Sequence, residues 1–62
     1  MEGEIYTHPK GGTYVVLAEG EVKIDGKWTP SVTYTSVSVD DNKWYTRKRS
    51  DFLSGKFVKV EK

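Results

Sequence analysis

Sixty-two residues with no cysteine, one histidine and a formal net charge of +1 allow one domain and leave no material for a second core. Disulfides and any cysteine-containing zinc site are excluded, and a single histidine falls short of the usual zinc ligand sets, so no metal or cofactor is expected. The charge is uneven: residues 1–31 are slightly acidic, while residues 32–62 are basic, with Lys43, Arg47, Lys48 and Arg49 close together.

No run of about eighteen apolar residues exists, so no membrane span is expected. The acidic start Met1-Glu2-Gly3-Glu4 has no apolar run behind it, so no signal peptide is expected. Together with the lack of cysteine this points to the cytoplasm. The chain is read as a single domain over 1–62, with its core in 5–60.

Ile5-Tyr6-Thr7 reads as a short strand that ends at His8-Pro9, because Pro9 removes a donor and pushes His8 to extended geometry. Lys10-Gly11-Gly12 reads as a turn. From Tyr14 the even positions Tyr14, Val16, Ala18, Val22 and Ile24 are apolar while Glu19, Glu21 and Lys23 are charged. That is the period of a strand with one buried face. Val15 and Leu17 interrupt it early, and Gly20 marks a bend or bulge.

Asp25-Gly26 is a hairpin turn, Trp28 leads the return strand, and Pro30 favours an edge position. Val32–Val39 has the strongest strand propensity. Its apolar parity shifts from Val32 and Tyr34 to Val37 and Val39, which predicts a bulge near Thr35-Ser36 or a strand that crosses between sheets. Asp40-Asp41-Asn42 reads as a solvated turn, and Lys43–Arg47 as a strand with Trp44 and Tyr45 on opposite faces, one core and one exposed. Arg47 to Leu53 alternates poorly and fits one α-helical or 3₁₀ turn stopped at Gly55. Lys56–Val60 is the last strand, with Phe57 (or Val58 and Val60) inward.

The expected architecture is all-β: five or six short strands and one helical turn before the last. That layout resembles a small SH3-like barrel, with an OB-like barrel as the longer alternative. Burial of a large side chain contributes about 1.5–3 kcal/mol and ordering a residue's backbone costs about 1–2 kcal/mol, so a domain this short is marginal. A monomer or a weak homodimer is expected.

Lys10-Gly11-x-x-Tyr14-x-Val16-Leu17 resembles the N-terminal signature of a small bacterial and phage family, domain-of-unknown-function family 1653. Tyr6 and His8 stand where that family has an aromatic residue and a histidine before its Lys-Gly pair. Val32-x-Tyr34 resembles its Val-Tyr strand, and Tyr45-Thr46-Arg47 its Trp-Val-Arg strand end. Phe52 falls where the family has Phe after a short Pro-Leu-Glu-Met turn. Two segments depart from the pattern: Lys48-Arg49-Ser50-Asp51 replaces the Pro-led turn, and Asp25-Gly26-Lys27-Trp28 is a different middle hairpin. The resemblance implies a β-rich, SH3-like domain and no assigned activity.

His8 as a general base would need a nucleophile and an orienting acid, and no motif supplies them; the plainer reading packs its ring over the first turn, bonded to the backbone. Lys10-Gly11-Gly12 and Gly26-Lys27 lack the phosphate-loop pattern and a following helix, so they read as turns. Asp40-Asp41-Asn42 is too short for a calcium loop. The set with most chemical content is Trp28, Tyr34, Trp44 and Tyr45 beside Arg47, Lys48 and Arg49. The expectation is therefore a non-enzymatic binding or adaptor module with a binding set of His8, Trp28, Tyr34, Tyr45, Arg47, Lys48 and Arg49. The first reading of its partner is a protein or peptide, held in an aromatic groove or along a strand edge. The alternative is nucleic acid, with rings stacking bases and the Lys43–Arg49 face on phosphates.

Overall fold

The computed structural model describes residues 1–38 and 43–60. The chain builds strands β1 (Ile5–Thr7), β2 (Thr13–Ile24), β3 (Lys27–Ser36) and β4 (Trp44–Lys48), helix α1 (Arg49–Ser54) and strand β5 (Val58–Lys59). The strands form one antiparallel five-stranded sheet in the order β4-β3-β2-β1-β5, and the sheet is not closed. The last strand thus returns to lie beside the first, across the pairs Tyr6–Lys59 and Thr7–Val58. Among the described residues no helix is long and apolar enough to cross a membrane.

The β2–β3 hairpin is the backbone of the molecule. Asp25 and Gly26 both take positive φ, 51° and 79°, as a two-residue turn that matches strand twist requires. Between β2 and β3 the register runs Ile24–Lys27 to Ala18–Thr33, then resumes at Val16–Tyr34. Leu17 is the unpaired extra residue of a β-bulge.

The observed register corrects three expectations. Side chains on a strand alternate faces, so an inserted residue exchanges the faces beyond it. Tyr14 and Val16 therefore share a face with Tyr34, whereas Ala18, Val22 and Ile24 go to the opposite face, and the even positions are not one continuous stripe. The irregularity lies at Leu17 rather than at Gly20, which pairs regularly with Ser31. No irregularity occurs at Thr35-Ser36 either, where Thr35 pairs Val15 and Ser36 pairs Tyr14. The parity change on β3 comes instead from chain end: Val37 lies beyond the strand, its N–H on the Thr13 carbonyl and its side chain exposed. Val39 and the expected turn at 40–42 lie outside the described residues.

Strand β3 is interior, not an edge. Its partner β4 ends at the pair Ser31–Lys48, however, so Pro30 sits one residue beyond, where the strand is locally unpaired on that side. Helix α1 starts later than the sequence indicates, at Arg49, and stops at Gly55, whose N–H bonds the Asp51 carbonyl at 2.8 Å.

The core is Tyr6, Val16, Val32, Tyr34 and Phe52, with Tyr14, Tyr45 and Phe57 packed against it. Phe52 is the one buried residue of α1 and joins the helix to the sheet: its ring lies 5.1 Å from Tyr6, 5.3 Å from Tyr34 and 4.5 Å from Phe57, stacked on the last. Of the alternatives for the last strand, Phe57 is the residue that packs inward, and Val58 and Val60 are exposed. One ion-pair network ties the N-terminus to the second half of the chain: the Met1 ammonium lies 4.0 Å from Glu4 and 3.4 Å from Glu19, which take Lys59 at 2.7 Å and Arg49 at 3.2 Å.

Candidate binding cleft

Register brings the rings together. Tyr34 on β3 pairs directly with Tyr45 on β4, and Tyr14 on β2 shares their face through Val16. The Tyr34 and Tyr45 rings stack at 5.7 Å, and Tyr14 meets Tyr34 edge-on at 5.5 Å. Phe57, entering from the chain just before β5, lies 5.8 Å from Tyr14 and 5.6 Å from Tyr34. Edge-to-face and offset contacts at these distances are the favoured arrangements of aromatic pairs. They form the floor of an open cleft of about 390 Å³, lined by these four rings with His8, Lys10, Gly11 and Arg47. That volume lies in the range of small-ligand and side-chain pockets.

Arg47 follows Tyr45 by two residues and so projects on the same face. Its Nε donates to the Tyr34 hydroxyl at 2.9 Å, and its guanidinium carbon lies 5.6 Å over the Phe57 ring. A phenol and a ring thus orient one cation at the cleft wall.

The β1–β2 loop supplies the opposite wall. The His8 N–H bonds the Gly12 carbonyl, the Gly11 N–H bonds the His8 carbonyl, and the Lys10 N–H donates to His8 Nδ1 at 3.2 Å. The His8 ring packs edge-on against Phe57 at 5.0 Å. Gly11 and Gly12 hold φ of 92° and 100°, and a Cβ on Gly12 would stand 2.9 Å from the Tyr14 hydroxyl. The glycine pair therefore lets the loop fold down onto Tyr14.

Of the residues singled out from sequence, His8, Tyr34, Tyr45 and Arg47 meet in this cleft. The other three do not. Trp28 is 66% exposed and pairs with Lys23 near the hairpin tip, with the Lys23 ammonium 5.9 Å from its ring. It stands six positions along β3 from Tyr34, about 20 Å at a strand's rise. Lys48 takes the opposite face from Arg47, and Arg49 begins α1 and pairs with Glu19. The three successive cations thus point three ways. Trp44 is the exposed member of the Trp44–Tyr45 pair, at 73%, on the face away from the cleft.

Tyr14, Phe57, Lys10 and Gly11 also line the cleft, though the binding set expected from sequence does not include them and reads Lys10-Gly11 as a turn. The sequence marks Tyr14 as an inward-facing strand residue and Phe57 as one of two alternatives for the inward face of the last strand. Their convergence depends on β5 returning beside β1, which no local pattern encodes. A smaller hollow of about 260 Å³ lies between Thr29, Pro30, Arg49, Ser50 and Leu53.

Beside the cleft, Glu4 accepts from the Lys59 ammonium and from the Tyr6 hydroxyl at 2.9 Å. The Lys59 bond, then the Tyr6 bond, lower the Glu4 carboxyl below its ordinary value. Burial, then the bond to Glu4, raise the Tyr6 phenol. Among the described residues, no group of three or more His, Asp or Glu is placed to hold a metal ion. No protein-family model, no curated protein and no solved structure matches this chain.

Proposed function

We propose that the chain is a non-enzymatic binding module that holds an extended acidic peptide segment in the Tyr14–Tyr34–Tyr45–Phe57 cleft. One observation carries the reading: a guanidinium anchored by Tyr34 sits over the Phe57 ring, Lys10 lines the same cleft, and no described carboxylate lines it. A fixed guanidinium suits a carboxylate by charge and by its paired donors. The ring floor suits the apolar or prolyl side chains between acids. The sheet order and the helix before β5 support an SH3-like, partly open barrel as the architecture. The sequence motifs add a resemblance to domain-of-unknown-function family 1653.

Nucleic acid is less well supported. Its reading needs the Arg47–Arg49 run to track a phosphate backbone, yet Arg49 is paired with Glu19 and Lys48 lies on the other face from Arg47.

Titration of the isotope-labelled protein at low salt separates the readings. The probes are an Asp/Glu-rich peptide with interspersed prolines, its Lys-substituted counterpart and a thymidine decamer. The acidic peptide alone should shift the amides of Lys10, Tyr45, Arg47 and Phe57, and Arg47→Ala should abolish the shifts. Absence of shifts at millimolar acidic peptide, or a stronger response to the decamer, would overturn the proposal.

A further inference from the structure

Strand β4 is one edge of the sheet, and its five residues are Trp44-Tyr45-Thr46-Arg47-Lys48. Two aromatics precede a central threonine and two cations follow it. An antiparallel strand reads the same sequence backwards. Laid against a second copy of itself about Thr46, β4 sets Thr46 opposite Thr46, Tyr45 opposite Arg47 and Trp44 opposite Lys48. Within β4 every directly opposed pair off the axis is then an aromatic with a cation, and each occurs twice; beyond its ends Lys43 falls opposite Arg49, whose charge Glu19 answers.

We infer that β4 is a self-pairing edge, through which two copies of this chain join β4 to β4 in the register centred on Thr46. The alternation keeps the matches consistent. Tyr45 and Arg47 share the cleft face, and Trp44, Thr46 and Lys48 share the outer face. The pair axis stands perpendicular to the sheet, so like faces of the two copies align. Opposed strand residues lie about 4.5–5.5 Å apart, within reach of a cation and a ring.

Other registers lose this match. An axis at Arg47 opposes the two Arg47 cations directly, and an axis at Tyr45 leaves both cations beyond the paired aromatics. A shift by one residue turns one copy over, so that a cleft face meets an outer face. Charges on an edge discourage pairing with strands that do not answer them. Here the answering groups are on the strand itself, so the charges select a copy of the same chain. Trp44 is 73% exposed, and this contact covers its ring. The two sheets become one ten-stranded surface, and each copy's Arg47 reaches the rim of the other's cleft.

The chain has no cysteine, so single-cysteine variants report on the pairing directly. Thr46 lies on the axis and is exposed, and Lys48 is two residues off it on the same face. Thr46→Cys should yield a disulfide-linked dimer under mild oxidation. Lys48→Cys should not, because its two copies stand about four strand residues, or 13 Å, apart. Sedimentation of the unmodified protein should show a concentration-dependent dimer, weakened about tenfold by Trp44→Ala through the lost cation–ring contacts. Equal linkage in the two cysteine variants, or a monomer at millimolar concentration, would overturn the inference. Neither Thr46 nor Lys48 lines the cleft, so that failure would leave the peptide reading intact.

Discussion

Replacing Tyr34 by Phe removes one oxygen and leaves the ring in place. That oxygen accepts the Arg47 Nε–H at 2.9 Å, at the wall of the cleft. A hydrogen bond to a charged group contributes about 1.5–3 kcal/mol net, and less where water can replace it. Arg47 is exposed, so screening and rehydration bring the expected loss to about 1 kcal/mol. For a domain of this size that lowers the melting temperature by about 4–8 °C. Arg47→Ala removes the same bond and also the cation over Phe57, a further 0.5–1 kcal/mol or so. The double variant should therefore cost little more than Arg47→Ala alone, with a coupling energy of about 1 kcal/mol between the two sites. Urea and thermal unfolding followed by far-ultraviolet circular dichroism measure the cycle. Tryptophan emission is a poor reporter here because Trp28 and Trp44 are already exposed in the folded chain. A coupling energy below about 0.3 kcal/mol would mean that Tyr34 does not position the guanidinium, and the central argument for the cleft would fall.

Three further outcomes are expected. Phe52→Ala should lose about 3–5 kcal/mol in urea unfolding, a third or more of a total near 3–9 kcal/mol for a chain this long, and Phe52→Leu should lose less; a loss below about 1 kcal/mol for Phe52→Ala would contradict the packing of α1. Gly12→Ala should destabilise more than Gly11→Ala, because both have positive φ but only at Gly12 does the new Cβ meet Tyr14; equal melting temperatures would contradict it. Glu4 is lowered in the fold, so its contribution is complete above the ordinary value of 4.5 and is lost as pH falls through the lowered one. Tyr6 is raised, so its contribution is complete below the ordinary value of 10.0 and is lost as pH climbs from there through the folded value. Urea midpoints across pH should show both limbs, and Glu4→Gln should flatten the acid one; an unchanged acid limb in that variant would remove Glu4 as its source.

Much of the fold was legible in the chain because its signals are local. Asp25-Gly26 adopts the two positive φ values of a hairpin turn wherever it stands, and Gly11-Gly12 likewise makes a turn from its own torsional freedom. The β-branched and aromatic run over Val32–Tyr34 and the unpatterned stretch before Gly55 act over a few residues each, and both elements were visible. The bulge was not, because Leu17 resembles any apolar strand residue, and its exclusion from the ladder is decided by what β3 offers across from it.

The site divides in the same way. Alternation alone separated Trp44 from Tyr45, since neighbours on a strand take opposite faces whatever the fold around them. The sequence also determined that no disulfide and no cysteine site exists, and that its second half is basic. It could not determine which cations act together. Arg47, Lys48 and Arg49 are neighbours in the chain, yet strand parity and the start of α1 send them in three directions, and Glu19, thirty residues away, takes Arg49. Nor could it place Tyr14 beside Phe57. Those rings meet because β5 closes back on β1, and the energy that holds this long-range pairing comes from burying Phe52 and its neighbours, a sum over the whole chain rather than a property of any one segment.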